Sequence, residues 1–118
     1  MEKTETLAAL AALAQENRLD VFRLLVQAGP DGLAAGAVAE KLSLAPNTLS
    51  FHFDRLRNAG LVTCKREGRS LIYAARFEAM NGLIAYLTEN CCAGSAVACA
   101  PAACAPAASA KSKAKVPA

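Results

Sequence analysis

Through most of the chain, apolar residues recur at the three- and four-residue spacing of amphipathic helices. This pattern predicts a first helix around residues 7–14 and a second from Asn17 that ends before Gly29-Pro30. A short third helix is predicted over residues 35–42. After a brief break, Pro46 suits the first turn of a fourth helix that runs to about Ala59. The first part of the chain is therefore predicted to be helical.

The pattern then changes from helical spacing to two strand-like runs, residues 61–66 and 70–75. Glu67-Gly68-Arg69 lies between them and predicts a hairpin with a basic tip. A last helix, with one apolar side, is predicted from about Phe77 to Asn90. The expected fold class is mainly α with a small β-hairpin (α+β).

Composition divides the 118 residues into two regions. Residues 1–92 carry the periodic pattern, and their apolar content is enough for one core, so we expect one domain there. Residues 93–118 are rich in Ala, Pro and Lys and carry Cys99 and Cys104. Such a segment lacks the large apolar side chains that a core requires, which predicts a flexible tail.

Positive charge is concentrated in the middle of the chain. Residues 46–76 have a net charge of +4, against −2 for residues 1–45 and +1 for residues 77–118. Two short helices joined by a tight turn and followed by a basic hairpin predict a winged helix-turn-helix that inserts its second helix into the major groove.

The side chains expected to face DNA fall into two groups. Asn47, Thr48, Ser50 and His52 lie on one predicted face of the fourth helix, where Asn47, Ser50 and His52 are suited to base edges. Basic side chains suited to phosphates or the minor groove are Arg55, Arg57, Lys65, Arg66 and Arg69. The alternative for any one of these arginines is a solvated surface charge, and for His52 a polar surface residue without a metal role.

The first and last helices have apolar stripes that a core of three helices and a hairpin does not fully use. Pairing two copies through these helices buries the stripes and presents two recognition helices to a pseudo-palindromic operator. The sequence therefore predicts a homodimer on double-stranded DNA. It shows no catalytic constellation, no signal peptide and no membrane-spanning segment, so we expect a cytoplasmic protein that is not an enzyme. A pure protein-interaction module is the remaining class.

Residues 7–90 resemble the ArsR/SmtB group of metal-responsive winged-helix repressors. The matching stretches are residues 13–19 (LAQENRL), 45–53 (APNTLSFHF) and 56–62 (LRNAGLV), together with Glu67-Gly68-Arg69 and the strand around Tyr73. The resemblance implies a homodimer that represses its own operon and leaves DNA when an inducer binds.

Two sensing sites typical of that group are absent from this sequence. Residues 36–42, which correspond to the helix before the recognition helix, contain no Cys-x-Cys motif. The last helix lacks the histidine and acidic ligands of the zinc and nickel sensors, since it offers only Glu78 and Glu89. The absence of both sites argues against classical zinc sensing.

Four of the five cysteines instead cluster late in the chain, at Cys91, Cys92, Cys99 and Cys104. Soft thiolates without a nearby histidine favour thiophilic ions. Cys91 and Cys92, with Cys99 or Cys104 as the third ligand, are therefore predicted to bind trivalent arsenic, as arsenite, or antimonite. Methylarsenite needs only the adjacent pair.

Two further readings of the cysteines remain open. The same four thiols suit a redox or persulfide sensor, which responds to oxidation rather than to a metalloid. Cys64 shares a strand face with Val62 and is expected to be a buried structural thiol outside the site.

Overall fold

The computed structural model describes residues 1–94. The elements in chain order are α1 (Lys3–Leu13), α2 (Glu16–Ala28), β1 (Leu33–Ala34), α3 (Ala35–Leu42), α4 (Pro46–Asn58), β2 (Val62–Glu67), β3 (Ser70–Ala75), α5 (Phe77–Leu87) and a 3₁₀ turn (Cys91–Gly94). Residues Met1–Thr88 form one compact unit, and the chain from Glu89 onward belongs to a second. The predicted fold class is confirmed. Among the described helices, none has the length and apolar character needed to cross a membrane.

The core of the first unit lies between α2, α4 and the sheet. Leu25 of α2 and Leu56 of α4 are completely buried, because the apolar positions of both helices recur at helical spacing on one side. Phe53 of α4 stacks on Tyr73 of β3, with ring centroids 3.6 Å apart and planes 3° from parallel. This contact fixes α4 against the sheet.

The sheet has three antiparallel strands in the order β1-β3-β2. The β2–β3 hairpin (residues 62–75), which we call the wing, was predicted to within one residue. Strand β1 was not predicted, because two residues are too short to show an alternating pattern. It forms only through its pairing with β3, where Leu33 lies opposite Tyr73.

The last helix is shorter than predicted. Helix α5 ends at Leu87, not at Asn90, and the Thr88 hydroxyl donates a hydrogen bond of 2.8 Å to the Ile84 carbonyl. Asn90 has a φ of 58°, a left-handed conformation common just beyond helix ends. Cys91 therefore does not continue the helix that carries Ile84 and Leu87.

The start of α2 also differs from the sequence prediction. Gln15, rather than Asn17, caps the helix, and its side-chain oxygen accepts a hydrogen bond of 2.9 Å from the Arg18 backbone N–H. The Arg18 side chain in turn donates from Nε to the Ala12 carbonyl at 2.6 Å. These bonds fix the connection between α1 and α2.

Gly32 gives a test of how β1 joins the sheet. Gly29 and Gly32 both have left-handed backbones, with φ of 87° and 72°, but only at Gly32 does an added Cβ collide with the Tyr73 carbonyl. We expect Gly29→Ala to lower the free energy of unfolding by about 1–3 kcal/mol through backbone strain alone, because its φ of 87° and ψ of −172° form a conformation that essentially only glycine adopts. Gly32→Ala should cost a further 1–3 kcal/mol or so, from the collision. Urea denaturation of the two variants measures the difference, and equal losses would contradict this account of the β1–β3 contact.

Candidate nucleic-acid interface

A tight turn joins α3 to α4. Ser43 adopts a left-handed conformation with a φ of 55°, and the Leu44 N–H bonds to the Ala39 carbonyl at 3.0 Å. Pro46 begins α4, where a missing N–H costs nothing. The half-buried Leu44 packs against the core and holds the turn in place. The result is a helix-turn-helix in which α4 is the second helix.

Helix α4 has one buried and one exposed side. The buried side consists of Leu49, His52, Phe53 and Leu56. The exposed side chains are Asn47, Thr48, Ser50, Phe51, Asp54, Arg55, Arg57 and Asn58. Five residues expected to face DNA on this helix are therefore accessible: Asn47, Thr48, Ser50, Arg55 and Arg57. Their contact with DNA stays a prediction.

His52 is a correction to the predicted site. Its side chain is buried, with a residue exposure of only 6%, so the prediction that it lies on the exposed face with Asn47 and Ser50 is wrong. It follows Leu49 by three residues and precedes Leu56 by four, and that spacing places it on the apolar side of the helix. From this position its ring nitrogens do not reach base edges.

The environment of His52 is unusual for a polar side chain. Among residues 1–94, neither Nδ1 nor Nε2 has a hydrogen-bond partner. Burial lowers the pKa of His52 below 6.5, and the positive charge of Arg18 lowers it further. Both effects favour the neutral form of the ring.

Phe51 and Asp54 are accessible residues of α4 that the sequence reasoning did not select. Phe51 is 52% exposed, although it carries a large apolar ring. The Arg55 guanidinium lies over this ring, 4.9 Å from its centroid. Helical spacing was a signal that could have found Phe51, since it lies four residues from both Asn47 and Arg55.

The wing carries the remaining predicted basic residues. Lys65, Arg66 and Arg69 are all exposed, and Arg69 follows Gly68 in the two-residue turn. The Lys65 ammonium lies 3.1 Å from the Glu67 carboxylate. Strand β2 packs against α4, so the wing is attached directly to the second helix of the helix-turn-helix.

Cys64 lies on strand β2 in the first unit. It is half-buried beside the core and lies opposite Tyr73. Burial raises the pKa of Tyr73, and a hydrogen bond with the Cys64 side chain raises it further. Cys64 is thus half-buried rather than buried as predicted, although it packs against the core.

The predicted metalloid ligands are only partly described. Cys92 is exposed with a free thiol, and Cys91 is disulfide-bonded. Cys99 and Cys104 lie outside the described residues. Within residues 1–94, no group of three His, Cys, Asp or Glu side chains is placed to hold a metal ion.

A helix-turn-helix followed by a basic β-hairpin defines a winged helix-turn-helix DNA-binding protein. Residues 13–65 match the family model described as a helix-turn-helix domain. The HTH-type transcriptional regulator YgaV of Escherichia coli is 31% identical over 85 residues, which cover 72% of this chain and 84% of YgaV. An uncharacterized HTH-type regulator, YceK of Bacillus subtilis, is 37% identical over 65 residues. These are 55% of this chain and 64% of YceK, just under two thirds of that relative.

A solved structure gives the same assignment. It is the homodimeric winged helix-turn-helix DNA-binding domain of Mb0332 from Mycobacterium bovis, a possible ArsR-family regulator. The two are 27% identical with a TM-score of 0.60, over 74% of this chain and 81% of that one. The chain belongs to the ArsR family of winged helix-turn-helix transcriptional regulators, which are not enzymes.

The buried His52 predicts a pH-dependent stability. Because its pKa is lower in the folded than in the unfolded chain, the unfolded chain binds more protons between the two values. Stability is therefore complete above the unfolded pKa of about 6.5 and falls as the pH drops through the lower folded pKa. We expect the free energy of unfolding to decrease between about pH 7.5 and pH 5 in the wild type, and less so in His52→Gln.

Urea denaturation at several pH values measures this dependence. His52 is the single histidine in the sequence, so the difference between wild type and His52→Gln isolates its contribution. A difference that does not change with pH would show that the ring keeps its ordinary pKa in the folded protein.

Proposed function

We propose that the protein is a homodimeric repressor that binds double-stranded operator DNA through α4 and the wing. The observation that carries this proposal is the exposed side of α4, where polar and basic side chains follow a helix-turn-helix and adjoin a basic hairpin. Such a helix enters the major groove with its N-terminal residues toward the bases. As a transcriptional regulator that binds DNA, the protein is proposed to act in the cytoplasm.

The exposed residues divide by chemistry into base contacts and phosphate contacts. Asn47, Thr48 and Ser50 occupy the first turns of α4 and present hydrogen-bonding groups suited to base edges. Arg55, Arg57, Arg66 and Arg69 supply positive charge for phosphates, as does Lys65. Lys65 exchanges Glu67 for a phosphate at small cost, because an exposed ion pair is weak.

The dimer is supported by apolar side chains that the first unit leaves uncovered. Leu7 and Leu10 of α1 and Ile84 and Leu87 of α5 are exposed, and each pair lies three residues apart on one side of its helix. Helices α1 and α5 pack against each other, so both contribute to a surface for a second copy. A two-fold dimer presents two α4 helices to the two halves of an operator.

Leu7→Glu tests the dimer and its need for DNA binding. Leu7 is 59% exposed in the single chain, so the variant should fold, but a carboxylate in an apolar seam opposes association. We expect Leu7→Glu to sediment as a monomer and to bind promoter DNA about tenfold or more weakly. Leu19→Glu, with the same change at a 42% exposed position on α2, is the control and should remain dimeric. A dimeric Leu7→Glu with full DNA affinity would rule out this seam.

We further propose that the inducer is trivalent arsenic, as arsenite or methylarsenite, or antimonite, bound by Cys91 and Cys92. Adjacent thiolates suit a thiophilic ion, and Cys99 or Cys104 supplies the third sulfur where three are needed. The exposed free thiol of Cys92 supports access of such an ion. Binding requires the thiolate form of Cys91 and therefore reduction of its disulfide.

A redox or persulfide sensor is the second candidate function. The disulfide at Cys91 favours it, because the same residue that would hold a metalloid is oxidised in this structure. In that case formation of the disulfide, rather than binding of an ion, changes DNA affinity. The two candidates share the DNA-binding unit and differ only in the signal.

Fluorescence anisotropy on DNA from the protein's own promoter separates the two signals. We expect arsenite or antimonite to release DNA from the reduced protein. Cys91→Ser and Cys92→Ser should each need an inducer concentration at least about tenfold higher, because each variant lacks one of the two or three sulfur ligands of the site. Cys64→Ser is the matched control and should respond as the wild type does. Release by methylarsenite alone would assign the site to the Cys91-Cys92 pair.

The same titration defines the result against a metalloid inducer. If no metalloid releases DNA from the reduced protein but mild oxidation does, the sensor is a redox sensor. Release that survives both serine substitutions would place the inducer site elsewhere in the chain.

A further inference from the structure

We infer that Phe51 reads thymine in the operator, by contact of its ring with the 5-methyl group in the major groove. The inference rests on the proposed binding of operator DNA through α4. It adds a base-reading residue of a different kind from Asn47, Thr48 and Ser50, which act by hydrogen bonding.

The position of Phe51 on α4 is the first argument. Phe51 lies between Asn47 and Arg55 on the exposed side, opposite the side where Leu49 and Phe53 are buried. The buried side of α4 packs on the core, so the opposite side is the one presented to the major groove. Phe51 lies near the middle of that side, which faces the bases.

The exposure of the ring is the second argument. With 52% of the residue accessible, much of an aromatic surface remains in water within an otherwise polar helix face. The ring of its neighbour His52 is tilted by 60° and its centroid lies 6.0 Å away. When a partner covers apolar surface that is exposed on a binding face, the burial of that surface makes binding more favourable.

The charge around the ring identifies the partner as DNA rather than an apolar protein surface. The Arg55 guanidinium lies over the ring, 4.9 Å from its centroid, and the side chain of Arg57 is exposed on the same helix. A cation over an aromatic face is held in place by the ring quadrupole. The ring thus holds Arg55 beside it, where phosphates or guanine edges of the same groove lie.

The thymine methyl group is the apolar feature of the major groove, and the other bases offer hydrogen-bonding groups there. Phe51 is therefore matched to thymine by chemistry. Replacement of thymine by uracil, introduced as deoxyuridine, removes this methyl group and leaves the hydrogen-bonding groups of the base unchanged. It therefore probes the contact with the methyl group directly.

The test compares promoter DNA containing thymine with the same duplex made with deoxyuridine. We expect the wild type to bind the thymine duplex about fourfold more tightly, the factor that corresponds to one buried methyl group. Phe51→Ala should bind both duplexes equally. Phe51→Leu, which keeps an apolar group but no aromatic face, should retain a preference for thymine.

Arg69→Ala is the control for a lost phosphate contact. It should weaken binding to both duplexes by the same factor and leave the preference for thymine unchanged, since phosphate contacts carry no base identity. Circular dichroism of each variant confirms that α4 is intact.

Equal binding of the wild type to both duplexes overturns the inference, because no methyl group is then read. A thymine preference that persists in Phe51→Ala also overturns it, since the preference then comes from DNA shape. Failure of the wild type to bind either duplex is a different result: it refutes the proposed operator function itself.

Discussion

The packing of α4 against α2 and the sheet is the interaction on which the rest of the structure depends. The Phe53–Tyr73 stack and the buried Leu56 fix not only the place of α4 but also its rotation about its own axis. Since a helix repeats every 3.6 residues, fixing one side decides every side chain on the other. The polar and basic surface of α4 is thus a consequence of its core.

Two neighbouring residues show the strength of this constraint. His52, with two polar ring atoms, is buried and has no hydrogen-bond partner within the described residues, whereas Phe51, which is apolar, is exposed. Intrinsic polarity favours the opposite arrangement for both. The helical period places His52 on the buried side together with Leu49, Phe53 and Leu56. The free energy gained by burying these three apolar side chains exceeds the cost of burying one polar ring. A residue kept exposed against its own polarity is where a binding role is expected.

The residues proposed to contact DNA and those proposed to sense a signal lie in different parts of the chain. Every residue proposed to contact DNA lies in the first unit, and the cysteines proposed to sense a metalloid or an oxidant follow it in the second. Coupling between two such sites is a free energy and is reciprocal, so an inducer that weakens DNA binding is itself bound less tightly on DNA.

The sequence by itself determined the order and type of the five helices and the hairpin, because long amphipathic periods, Gly29-Pro30 and Pro46 are local signals. It also determined the exposed basic residues of α4 and the wing. Only the tertiary structure decided the burial of His52, the exposure of Phe51, the pairing of β1 with β3 and the end of α5 at Leu87. The first three depend on contacts between residues distant in the chain, or on competition between positions for one core. The end of α5 is instead accompanied by a local hydrogen bond from Thr88 to the Ile84 carbonyl, which the helical pattern did not reveal. A two-residue strand such as β1 has no pattern of its own and exists only because β3 provides its hydrogen-bonding partners.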